Sequence, residues 1–145
     1  MFGLIQKLKR WLFPVKIVVD TNIFVGAYWN ERSASAAILE KIEKKEVKLL
    51  YSKSIEKELF FILRQMKARR AFLERVKNIL ALSREVRPAE KIEVVKDDYS
   101  DNKYFACALS GKADWIISSD KHFHSVKNFG IPVVRASEFI KIALL

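Results

Sequence analysis

Cysteine occurs once in these 145 residues, histidine twice, proline three times and glycine four times. The single Cys107 has no internal partner, so no disulfide holds this fold. Its neighbours Phe105, Ala106, Ala108 and Leu109 mark it as a small buried apolar residue. His122 and His124 share one short polar segment, and no Ser-His-Asp constellation accompanies them. No apolar run approaches the ~20 residues of a membrane span, and no repeat, low-complexity tract or linker divides the chain. These absences lead to an expectation of a single cytoplasmic domain. Acid is also scarce: 17 Asp and Glu face 27 Lys and Arg, for a formal net charge of +10. What is present is apolar, for 50% of the residues are hydrophobic, enough for one compact core.

Residues 1–14 stand apart as an extension to a domain over 15–145. Read as a helix, the extension places Leu4, Ile5, Leu8, Trp11 and Leu12 in one stripe with Gln6, Lys7 and Arg10 opposite, and Pro14 ends it. Lys7, Lys9 and Arg10 interrupt its apolar residues and no small-residue cleavage site follows, which excludes an export signal of the usual kind. Such a segment can lie on a membrane surface, on a partner or on its own domain. Its shortness favours packing on its own chain or on a second copy over membrane contact.

Beyond Pro14 strand-like and helix-like stretches alternate, the sign of an α/β fold with a mainly parallel sheet and helices on its faces. Strands are predicted over 15–19, 47–51, 92–95, 113–118 and 131–134. Helices are predicted over 33–44, capped by Ser33, on either side of Lys67-Ala68-Arg69-Arg70, over a stretch opened by Asp98 or Ser100 and closed by Gly111, and over 136–144.

Four acids stand just beyond a strand-like run or on the helix after one: Asp20, Glu58, Asp101 and Asp120. A parallel sheet brings such positions to one edge, where open α/β folds keep their sites. Each has a plainer explanation as a helix cap, but capping does not require acids from separate connections to converge. Crowded carboxylates need a proton or a cation. Oxygen donors without His or Cys beside them suit Mg²⁺ or Mn²⁺ rather than zinc. An acidic metal pocket in a basic body points to a polyanionic substrate and to phosphodiester hydrolysis. His122, beside Asp120, is read as an exposed structural residue rather than a phosphate ligand.

Val-Val-Asp-Thr-Asn at 18–22, Glu-Leu at 58–59, Asp-x-x-Asp-Asn-Lys at 98–103, Ala-Asp-Trp-Ile-Ile at 113–117 and Ser-Ser-Asp-Lys at 118–121 together resemble a PIN-domain protein, from about Lys16 to Ile140. The resemblance implies a three-layer α/β/α fold and a Mg²⁺- or Mn²⁺-dependent ribonuclease site. Carried over by position, Asp20, Glu58, Asp101 and Asp120 are the catalytic and metal-holding acids. Asn22, Asn102 and Ser119 support them, and Asp98 is a secondary acid. Glu56 competes with Glu58, which the following Ile62-Leu63 favours. Ser-Ser-Asp departs from the commoner Thr-Gly-Asp but keeps a hydroxyl. Likeness to the small stand-alone toxins of this family implies an antitoxin whose segment covers the cleft, and a homodimer as the working unit.

Lys67, Arg69, Arg70, Arg75, Lys77 and Arg84 gather around the predicted helical pair. They are candidates for RNA phosphates, in contacts that add affinity without choosing a sequence; the plainer reading is a solvated charged face. Tyr28, Trp29, Tyr99 and Tyr104 lie near the site segments, either to stack on bases or to be buried. A receiver domain needs an aspartate after its central strand, where Leu49-Leu50-Tyr51-Ser52 has none. A haloacid-dehalogenase-like phosphatase needs Asp where this chain has Asn22. The rival that stands is a non-catalytic RNA-binding or regulatory PIN module, against which the complete acidic quartet argues.

Overall fold

Val15–Val19 forms β1 at the centre of the sheet, and Ile17, Val18 and Val19 are buried to both sides, as an uninterrupted apolar run in a parallel sheet must be. The computed structural model describes residues 3–5, 8, 12–88, 101–125 and 130–143. After β1 come α1 (Thr21–Trp29), α2 (Ala34–Glu43), β2 (Val47–Tyr51), α3 (Lys53–Gln65), α4 (Arg70–Leu82) and β3 (Arg84–Glu85). Then follow α5 (Asn102–Gly111), β4 (Trp115–Ile117), α6 (Lys121–His124), β5 (Val133–Val134) and α7 (Ala136–Ala143).

The strands pair in the order β3-β2-β1-β4-β5, every pair parallel. Ile17 lies opposite Leu49 on one side and Trp115 on the other, and Val19 lies opposite Ile117. Because side chains alternate across a strand, the sheet feeds two cores. Ile17, Val19, Leu49 and Ile117 meet residues of α2, α3, α4 and α7, among them Ile38, Leu63, Ile79 and Phe139. Val18, Leu50 and Ile116 meet Phe105, Cys107 and Ala108 of α5 and Phe123 of α6. The result is the expected three-layer α/β/α arrangement around an all-parallel sheet.

The predicted strands over 15–19 and 47–51 match β1 and β2 residue for residue. β4 and β5 are shorter than predicted: β4 is bounded by the polar Asp114 and Ser118, and β5 begins after Pro132, which has no amide hydrogen to donate. The strand expected over 92–95 lies outside the described residues, and β3 is instead the two residues Arg84–Glu85. α1 was not anticipated. Its β-branched and aromatic residues are poor helix formers, and burial of Ile23, Phe24 and Ala27 holds it. In the N-terminal extension the described stripe residues Leu4, Ile5, Leu8 and Leu12 are exposed, as is Phe13; of the two packings expected, on its own chain or on a second copy, these residues do not make the first. No described helix is long and apolar enough to cross a membrane.

Gly111 sits where α5 closes onto the sheet. A Cβ there would lie 2.7 Å from Leu50 Cδ1 and 2.9 Å from Val86 Cγ2, so only glycine allows this approach.

Candidate active site

At β1 the strand order reverses, with β2 on one side and β4 on the other, so the carboxyl ends of β1 and β4 flank the crevice where open α/β sheets hold ligands. Asp20 is the first residue beyond β1. Its amide donates to the Ile117 carbonyl at 3.1 Å, extending the ladder one step past the strand, and only 4% of the residue is exposed. Ser118, fully buried beyond β4, donates its hydroxyl proton to Asp20 Oδ2. The same Ser118 Oγ accepts the Asp120 amide at 3.0 Å. Asp20 Oδ1 is buried and makes no hydrogen bond with a described residue. Burial raises the Asp20 pKa and the Asp120 charge adds to this; the Ser118 hydroxyl and the Asn22 and Ile23 amides act in opposition. Asp120 lies at the rim, its Oδ1 accepting the His122 amide at 2.9 Å with His122 Nδ1 at 3.2 Å.

The second half of the site is centred on Glu58, which α3 directs toward α1 and α5. Thr21 Oγ1 lies 3.2 Å from Glu58 Oε2 and 2.7 Å from the Tyr104 hydroxyl. Tyr104 donates to the same Glu58 oxygen, and Lys103 Nζ lies 2.9 Å from the other, Oε1. Burial first, then the neighbouring Glu58, raises the Tyr104 pKa well above the ordinary phenol range, so Tyr104 stays a donor. Glu56 points away to Lys53, so of the two candidate glutamates Glu58 is the one facing the site.

Asp101 occupies the N-cap position of α5, half-buried, and Asn102 opens that helix with 8% exposure. Asn22 and Ser119 are exposed, and the hydroxyl that reaches Asp20 belongs to Ser118 rather than Ser119. Asp98 and Tyr99 lie outside the described residues. The structure therefore joins Asp20 to Asp120 through Ser118, and Glu58 to Thr21, Tyr104 and Lys103. Among the described residues no three acidic, histidine or cysteine side chains stand close enough together to hold a metal ion. The donor chemistry nevertheless fits a hard divalent cation, since Asp20 offers a buried carboxylate oxygen that makes no hydrogen bond with a described residue.

Lys67 and Arg69 are exposed between α3 and α4, and Arg70 is exposed at the start of α4. Arg75 is not available in the same way: its guanidinium grips Glu43 through contacts of 2.7, 3.1 and 3.2 Å, tying α4 to α2. Thr21, Lys103, Tyr104 and Ser118 are the site residues that the acid pattern alone did not identify. Thr21, Lys103 and Ser118 all fall within the motif segments; only tertiary contact shows what they hold.

A family model described as the PIN domain matches residues 16–122. An uncharacterized protein of Methanocaldococcus jannaschii is 31% identical over 129 residues, covering 85% of this chain and 81% of that protein. Similar solved structures include VapBC2 from Rickettsia felis bound to a DNA fragment from its promoter, with TM-score 0.61, 15% identity, and coverage of 83% of this chain and 98% of that one. PAE2754 from Pyrobaculum aerophilum gives TM-score 0.59 at 13% identity, covering 90% of this chain and 97% of that one. The RRP44 PIN domain of T. brucei gives 0.52 at 11%, covering 90% and 81%. With a parallel sheet in this order, an acid at the end of β1 and a family model spanning most of the chain, this protein belongs to the PIN-domain family.

Proposed function

We propose that this protein is a divalent-metal-dependent endoribonuclease that hydrolyses RNA phosphodiester bonds. The observation that carries the reading is Asp20: a buried carboxylate at the switch point of the sheet, joined through Ser118 to Asp120, with one oxygen left without a described hydrogen bond. Asp20, Glu58, Asp101 and Asp120 are the residues that would hold Mg²⁺ or Mn²⁺. A divalent ion there supplies Lewis acidity toward the phosphodiester and the attacking water. Ser118 fixes the orientation of Asp20 by its hydrogen bond, Asp120 is aimed by its amide bond to Ser118, and Thr21 and Tyr104 restrain Glu58. Lys103 brings a positive charge to the cleft wall, where a phosphate oxygen can share it with Glu58. Family membership supports nuclease chemistry; a toxin role with an antitoxin partner, and a homodimeric working unit, belong to the same proposal.

A second reading, a non-catalytic RNA-binding or regulatory module, draws on the engagement of both Glu58 oxygens by the protein's own donors. Cleavage of a labelled single-stranded RNA panel in Mg²⁺, Mn²⁺ and EDTA, with Asp20→Asn and Asp101→Asn in parallel, separates the two. Metal-dependent cutting lost in both variants supports the nuclease; RNA binding without cutting in any metal replaces it with the module.

A further inference from the structure

The outer face of α3 holds a feature that the acidic cleft does not use. Lys57, Phe61 and Arg64 recur at helical spacing, and with Gln65 and Lys67 they line an open groove of about 440 Å³. That volume is within the ~300–1,000 Å³ of small-ligand sites. Phe61 is 61% exposed. Among the described residues Lys57, Arg64 and Lys67 form no ion pair, and the Arg64 guanidinium lies 5.7 Å from the centroid of the neighbouring Phe60 ring. Lys57 is the immediate neighbour of Glu58, and Phe61 lies about one helical turn, ~4.5 Å of rise, beyond it.

We infer that this groove is a nucleotide subsite beside the cleft, in which an unpaired RNA base stacks on Phe61 while Lys57, Arg64 and Lys67 take the adjoining phosphates. The inference rests on the proposed RNA substrate. An aromatic face ringed by unpaired cations is the makeup of a single-strand platform. A protein partner is a poorer fit, because interface cores are depleted of charge and of lysine in particular. A two-fold dimer centred on this face would set the cations against their own copies.

The test is fluorescence anisotropy of a short labelled single-stranded RNA with the full chain in EDTA, where binding is read without cutting, alongside light scattering for mass. Phe61→Ala is expected to weaken binding about tenfold, the scale of one lost base stack. Phe61→Trp should retain affinity, and Lys57→Gln with Arg64→Gln should reduce the log–log salt slope by about 0.7 for each contact removed. Unchanged affinity in Phe61→Ala overturns the inference; if that variant also changes from dimer to monomer, the face is an interface between copies. No RNA binding by the unaltered protein overturns both this inference and the ribonuclease reading. Failure to cut RNA in Mn²⁺ alongside a tenfold loss in Phe61→Ala sinks the nuclease reading and keeps the subsite.

Discussion

Asp20 carries its charge where the fold gives it little water, and the cost of that choice is measurable without any substrate. Its pKa is raised in the folded chain, chiefly by burial. Below the ordinary carboxylate range the group is protonated in folded and unfolded chains alike; as pH rises through the folded pKa, ionisation removes stability. Asp20→Asn, which retains an oxygen for the Ser118 hydroxyl, is therefore expected to melt above the wild type at neutral pH in EDTA, with the gap closing toward about pH 4. Parallel melting at every pH would show that Asp20 is not a strained charge. Lys103 gives a complementary expectation. Its ammonium holds one Glu58 oxygen, so Lys103→Met should raise Mn²⁺ affinity several-fold in calorimetric titration by removing a competing cation. Equal or weaker binding would remove Lys103 as a competitor. Asp20 was legible in the sequence because a carboxylate at the end of a buried strand has one place to go. The donors around Glu58 were not, since Lys103 and Tyr104 lie 45 and 46 residues from it and only the packing of α5 against α3 and α1 brings them there.

At the scale of elements, β1 and β2 were readable because each is apolar but for a single lysine, Lys16 or Lys48, and its central residues are buried. α1 was not, because its residue types favour strands and only its burial decides the matter. Helix-to-sheet contact depends on small residues in a way that composition does not reveal. Gly111→Ala would drive a methyl into Leu50 and Val86, and overpacking of this kind costs about 1–3 kcal/mol. Chemical denaturation should show the loss. An unchanged midpoint would mean that the Leu50 and Val86 side chains give way without cost. The Arg75–Glu43 clamp is a second such joint, and it illustrates why counting basic residues overstates an RNA surface: a cation already satisfied by the fold has less to offer a phosphate.

At the scale of the whole molecule, Lys57, Arg64, Lys67, Arg69 and Arg70 are exposed and follow one another along α3, the turn after it and the start of α4, and none forms an ion pair among the described residues. If three to five of them meet phosphates, RNA affinity should fall with a log–log salt slope of roughly −2 to −3.5, taking about −0.7 per contact. A slope near zero in a salt titration would mean that the net charge of +10 serves no bound polyanion.

The pairing of Val19 with Ile117 decides which hydroxyl stands beside Asp20. The two central strands thus work as a ruler, and the cleft is set by where they stop rather than by the length of chain between them. Adding or removing residues in the connections leaves that measurement intact. One residue inserted inside β4 would carry Ser118 past its mark and turn every following side chain to the opposite face. The connections of this chain can therefore change in length without moving Ser118 away from Asp20.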